Sequence, residues 1–241
     1  MTYLINVDGT VNVLETARLM DVKRVVFTNS VVVYDQTRGE YAFPSYKSID
    51  EEYPKAPSSL YGTTKLFGEH MCLNYNRIYG LDAVILRFVS IYWSRKQLRH
   101  GALALHSGII ESAMLKAPFK LPQGGDETWD MIYTRDVANG IILAAFAETL
   151  EHRIFHIVAN KGGSFRHLVE ILRELLGAVP LEISVGLNPL GSEKSRYSYR
   201  VFNIERARKE LGYRPKYDLE AATKDYIETI KRLEISPMVV S

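Results

Sequence analysis

Apolar residues recur at helical spacing along the start of the chain, where Leu4, Val7, Val11 and Leu14 form one stripe, and then close into a short apolar run from Val22 to Phe27. The stripe predicts an amphipathic helix, and the run suits a strand covered on both faces, as in a parallel sheet. Residues 31–57 form a polar connection rich in tyrosine and proline that ends at Pro54 and Pro57. Ser58 or Ser59 then caps a helix predicted from about Leu60 to Tyr79, with Gly80 as its stop signal. Asp82 to Phe88 is a second apolar strand. Helix, strand, helix, strand is the rhythm of an α/β fold with helices on the faces of a parallel sheet. Opening on a helix is unusual for such a fold, because its first strand-to-helix turn normally carries the cofactor phosphates.

Beyond Val89 the pattern loosens. A basic loop from Ser94 to His100 precedes an apolar helix ending near Leu115, and short strands are expected at Pro118 to Pro122 and Thr128 to Tyr133 around a turn at Gln123–Asp126. A helix from Asp136 to Glu148, a strand from Arg153 to Val158, and a helix from His167 to Leu176 capped by Ser164 follow. Leu181 to Val185 reads as an edge strand. Phe202 to Leu233 reads as two helices parted by Gly212-Tyr213-Arg214-Pro215. The chain thus divides into residues 1–88 and a mixed region, 89–241, that holds a smaller substrate lobe together with strands and helices returning to the main sheet.

Composition narrows the function classes. The 241 residues carry 30 basic and 28 acidic side chains, a net charge of +2, without a long like-charge run, so no nucleic-acid or membrane-surface partner is expected. One cysteine, Cys72, has no partner for an intramolecular disulfide and is expected as a small buried apolar residue in a reducing compartment. No apolar run approaches the ~18 residues that span a bilayer, and the N-terminus lacks signal-peptide features, so the expectation is cytoplasmic. No histidine spacing supports a metal site.

The candidate chemistry lies in Leu60-Tyr61-Gly62-Thr63-Thr64-Lys65. On a helix, Tyr61 and Lys65 share one face. A tyrosine ordinarily holds its proton to a pKa of about 10, and a fixed cation nearby favours the phenolate and brings it toward use as a base. Ser30, in Phe27-Thr28-Asn29-Ser30, supplies a hydroxyl that can hold a substrate oxygen.

Six ordered blocks set this pair in context. They are Asn6 to Glu15; Val22 to Ser30 with Val33-Tyr34; Tyr61 to Lys65; Leu86-Arg87-Phe88; Asp130 to Ala138; and Glu210 to Pro215. In this order and spacing the chain resembles the extended short-chain dehydrogenase/reductase family, the NAD-dependent sugar epimerases and dehydratases. The resemblance implies a Rossmann-like doubly wound parallel sheet, N-terminally incomplete here, with a smaller C-terminal substrate lobe. It implies Tyr61 as the acid/base, Lys65 as the residue that binds the nicotinamide ribose and depresses the Tyr61 pKa, and Ser30 on the reacting oxygen. Asn6, Thr28, Asn29, Phe88 and Ser90 complete the implied cofactor contacts. Ser30, Val31, Ser90 and Arg200 are the implied substrate contacts. NAD is the implied cofactor, with NADP left open, the substrate a sugar or nucleotide sugar, and the assembly a homodimer through helices 4–20 and 60–79.

The departures also carry information. No Gly-x-x-Gly-x-x-Gly follows a strand, and Gly124-Gly125 and Gly162-Gly163 read as turns. By the resemblance, two βα units and part of a third, roughly 60 residues at about 30 per unit, would precede the present start. Truncation of a longer enzyme is the favoured expectation; the alternative is a degenerate relative without catalysis that acts as a binding or interaction protein. Trp129 precedes Asp130 where nucleotide-sugar enzymes of this type tend to carry a phosphate-gripping arginine, and Arg95, Lys96, Arg99, Arg196 or Arg200 are candidate substitutes. Val31 and Val32 follow Ser30 where dehydratases carry an acidic pair, which disfavours water elimination and leaves epimerisation or simple oxidation open.

Overall fold

In the computed structural model, which describes residues 1–34, 37–42, 44–93, 104–125, 127–128, 130–186 and 200–238, the opening stripe is helical but not uniform. Leu4–Asp8 form a π-helical turn that runs into α1, Gly9–Leu19. The wider turn rotates the stripe, so that Val7 and Leu14 are buried while Leu4 lies on the surface. Strand β1 spans Arg24–Ser30 and therefore extends three residues beyond the apolar run. Arg24 opens it opposite Asp82 in register, and its guanidinium donates to the Asp82 carboxylate at 2.7 Å and to the carbonyls of Ala144 and Ala147.

Helix α2 is Leu60–Tyr79, as its signals predict: Ser59 Oγ accepts from the Gly62 N–H, and Gly80 takes the left-handed conformation at φ 71° that a glycine tolerates best. Strand β2 is Asp82–Phe88 and β3 is Ser90–Tyr92. Helix α3 (Leu105–Met114), β4 (Phe119–Leu121), β5 (Met131–Tyr133) and α4 (Thr134–Phe146) follow. Then come β6 (Ile154–Ile157), α5 (Phe165–Leu176), β7 (Leu181–Ile183), α6 (Glu205–Glu210) and α7 (Leu219–Arg232). The expected basic loop 94–100, Trp129 and Arg196 lie outside the described residues.

The main sheet has the order β1-β2-β6, all parallel, so residues from the far half of the chain complete the sheet that the first half begins. Two short parallel pairs, β3-β5 and β4-β7, stand apart from it. One face of the main sheet presents Val84, Leu86, Phe155 and Ile157 to Val137 and Ala144 of α4 and to Phe202 and Ile204. The other presents Ala83 and Ile85 to Leu14 of α1 and to Cys72 and Tyr75 of α2. Cys72 is fully buried there, and burial pushes its thiol up to about 12. A third core joins α3, α5 and α7 through Ile109, Phe165, Leu168 and Tyr226. The molecule is thus an α/β Rossmann-like sheet with a smaller lobe beside it. Among the described residues, no helix is long and apolar enough to cross a membrane.

Candidate active site

Two glycines seat α2 against β1. A Cβ on Gly68 would lie 2.5 Å from the Phe27 ring, and one on Gly62 would lie 2.6 Å from the Val32 carbonyl oxygen. The first turn of α2 therefore rests on the Val31–Val33 turn that directly follows Ser30, and Tyr61 comes to the Ser30 end of β1. Ser30 Oγ accepts a long bond of 3.4 Å from the Val32 N–H, and Tyr61 is 45% exposed, which leaves its ring accessible to a ligand.

Lys65 reaches back across this junction. Its Nζ donates to the Thr28 carbonyl at 2.8 Å and lies 5.8 Å from the centroid of the Tyr61 ring. Burial against β1 pushes its pKa below the usual lysine value. The same burial leaves its field on Tyr61 less screened than it would be in open water. Asn6, in the π-turn, donates to Thr64 Oγ1 at 3.0 Å, and that hydroxyl donates to the Tyr61 carbonyl at 2.8 Å. The N-terminal helix is thus tied to the turn that carries Tyr61. Asn6, Gly9, Thr10, Thr28 and Lys65 border a cavity of about 370 Å³ along the open edge of β1.

The other expected contacts are distributed unevenly. Val31 lies in the turn after Ser30, and Phe88 ends β2 opposite Ser30 in register, 5% exposed. Ser90 opens β3 across from Met131. Arg200 is nearly buried in the far half of the chain, where its carbonyl accepts from the Asp130 N–H at 2.9 Å. Beside it, Asp130 accepts from the Phe202 N–H at 2.7 Å, and burial pushes its carboxyl up to about 7. Asn29 is 3% exposed, and its side chain donates to Glu69 at 2.7 Å, beneath the site and not into the cavity. The reason is strand alternation: Phe27 and Asn29 face α2, so Thr28 faces away from it.

Sequence reading gave no role to Glu69 or His156, nor to Tyr34 and Arg87, although these two fall within the quoted blocks. Arg87 is fully buried and grips both oxygens of Glu69, at 2.9 and 2.6 Å. Arg87 also donates to the Tyr34 hydroxyl, which in turn lies 2.6 Å from His156 Nε2. Burial, then the Arg87 charge, holds His156 down to about 3, so it is neutral. The available signal was the spacing Tyr61, Lys65, Glu69, three residues at four-residue intervals on one helix face.

The implied dinucleotide fits this arrangement at its nicotinamide-ribose end, where Lys65, Tyr61 and the polar rim of the cavity supply donors to hydroxyl groups. A pyrophosphate turn is not found among the described residues. Gly124 and Gly125 donate to the Gly186 and Ser184 carbonyls, and a Cβ on Gly162 would lie 2.3 Å from Thr128, so these pairs serve turns and packing.

Residues 1–157 match the model of the NAD dependent epimerase/dehydratase family. The chain is 26% identical over 226 residues to the UDP-glucose 4-epimerase of Corynebacterium glutamicum, an alignment covering 89% of this chain and 67% of the relative. Among solved structures it resembles the Thermus thermophilus UDP-glucose 4-epimerase in complex with NAD, at a TM-score of 0.74 and 24% identity, covering 95% of this chain and 70% of the other. It also resembles the L-threonine 3-dehydrogenase of Trypanosoma brucei, at a TM-score of 0.83 and 21% identity, covering 99% and 71%. At these identities the structural likeness shows the fold. The chain spans 62% to 69% of the length of the first three curated relatives.

Proposed function

Since the chain belongs to the NAD dependent epimerase/dehydratase family, we propose that it inverts a hydroxyl-bearing carbon of a nucleotide-linked sugar through reversible oxidation to the ketone. The observation that carries this reading is the placement of Lys65, held at 2.8 Å by the Thr28 carbonyl with Tyr61 beside it and the Ser30 turn under the first turn of α2. NAD, when bound, would accept the hydride and return it to the opposite face of the ketone.

Tyr61, as phenolate, takes the proton from the substrate hydroxyl at its Oη and gives it back when the ketone is reduced. Lys65 stabilises that phenolate by its charge and offers N–H donors to ribose hydroxyls. Ser30 Oγ donates to the reacting oxygen, and its weak 3.4 Å bond to the Val32 N–H leaves its proton available. Asn6 steadies the Tyr61 turn through Thr64. Thr28 lines the cavity, and the reading assigns it, Phe88 and Ser90 to the cofactor and Val31 and Arg200 to the substrate. The name of the Corynebacterium glutamicum relative, UDP-glucose 4-epimerase, supports a UDP-sugar as the substrate class. Apolar residues left exposed on α2, with Leu60 67%, Ile78 56% and Tyr79 54%, support a homodimer packed through this helix and α1.

One-way alcohol oxidation is the second reading, and Trp129 favours it by standing before Asp130 in place of a phosphate-gripping arginine. Incubation of the purified protein with NAD and a panel of UDP-sugars separates the two. Epimerisation gives the inverted sugar by chromatography with no lasting absorbance at the NADH band, and oxidation accumulates NADH in proportion to product. A protein that binds NAD and converts no alcohol in the panel contradicts both.

A further inference from the structure

We propose that Glu69 and Arg87 are positioning residues that set the register of Tyr61 and Lys65 against Ser30. This rests on reading that trio as the hydride-transfer site. Asn29, Arg87 and His156 are register partners across β1, β2 and β6, one residue below Ser30, Phe88 and Ile157 at the carboxyl end of the sheet. All three are buried, and the first two converge on one carboxylate. Glu69 Oε2 accepts from Asn29 at 2.7 Å and from Arg87 Nε at 2.9 Å, and Oε1 accepts from Arg87 Nη2 at 2.6 Å.

Glu69 lies two helical turns below Tyr61, about 12 Å along the axis at 1.5 Å per residue. The glycine contacts fix how closely α2 approaches β1, but apolar surfaces alone allow small sliding. A fork-to-fork ion pair with a third bond to the strand does not allow it, because each bond is directional. The bond to Asn29 acts on the residue adjacent to Ser30. The helix and strand positions of the site are therefore locked by the same carboxylate. Arg87 Nη1 donates to the Tyr34 hydroxyl and, at 2.9 Å, to the Glu51 carbonyl. Tyr34 donates to His156 Nε2, and His156 Nδ1 donates to the Asn203 carbonyl at 3.0 Å, so the row is closed by a neutral histidine. A buried ion pair seldom adds stability over a well-packed apolar pair, which makes geometry the better account of its presence.

The test uses ring-labelled tyrosine NMR across pH on the full chain, with the Tyr61 resonance identified by its absence in Tyr61→Phe. Arg87→Lys keeps the charge but cannot span both carboxylate oxygens. Asn29→Ala cuts only the strand side of the clamp and decides the matter if Arg87→Lys does not fold. In a folded variant with native circular dichroism, the Tyr61 resonance and its titration midpoint are expected to shift, the midpoint upward by about half a unit or more toward free tyrosine. A control, Tyr226→Phe, loses a bond to Glu111 in the other lobe and should leave Tyr61 unmoved. An unmoved Tyr61 resonance in a folded clamp variant overturns the proposal, whatever the loss of Tm. If wild-type Tyr61 itself titrates like free tyrosine, the hydride-transfer reading fails. The clamp is then still decided by whether the variants displace the resonance.

Discussion

Lys65 shows how burial changes the behaviour of a common residue. Its ammonium is partly withdrawn from water and held by one backbone carbonyl, so its charge acts on Tyr61 at short range. Lys65→Met is expected to move the acid limb of the pH profile of kcat/KM to higher pH and to lower turnover at pH 7 by roughly a hundredfold, within the range for a positioned acid/base system. A pH–rate profile of the two proteins checks this. His156 and Asp130 make opposing contributions to stability. His156 is held at about 3 in the fold against about 6.5 unfolded, so the unfolded chain binds the extra proton in that window. Stability from this residue is lost as pH falls from about 6.5 to about 3, by at most about 1.4 kcal/mol per pH unit. Asp130, held up to about 7, binds its proton more tightly in the fold, so its contribution declines as pH rises from about 4 to about 7. Denaturant melts across pH should show a flatter acid limb in His156→Gln and a steeper one in Asp130→Asn. Tyr61 and Lys65 were legible because a well-signalled helix fixes which residues share a face. The inward turn of Asn29 was not, because strand phase depends on which helix covers which side.

At the scale of elements, α2 was readable from end to end, since Ser59, Gly80 and the apolar spacing all act locally. The opening helix was readable in type but not in detail, because a π-turn leaves no local signature and shows only as Leu4 turned to the surface. Gly68 is the sharper test of how α2 is seated. Alanine favours a helix over glycine by about 1 kcal/mol. Here its Cβ would meet the Phe27 ring at 2.5 Å, so Gly68→Ala is expected to destabilise by a net ~1–3 kcal/mol in chemical denaturation. A stabilised variant would mean that α2 does not pack on β1 this closely.

For the whole molecule, the alternation of helix and strand announced a parallel sheet, but the pairing of β2 with β6 joins residues some seventy positions apart. No local pattern encodes that partnership, and none encodes the polar row that crosses three strands to meet Glu69. The candidate site lies within one helix and one strand end, whereas the hydrogen bonds beneath it run from Asn29 to Asn203. The exposed apolar side chains of α1 and α2 predict a dimer. Sedimentation equilibrium should give twice the chain mass, and Ile78→Lys with Leu60→Lys should return it to the monomer mass. Whether Tyr61 exchanges the proton while hydride is transferred is decided by measuring NADH binding and UDP-sugar turnover in the same preparation of Tyr61→Phe. Binding within about twofold of the unaltered protein with turnover lower by roughly a hundredfold or more is expected; intact binding with unchanged turnover would remove Tyr61 from this role.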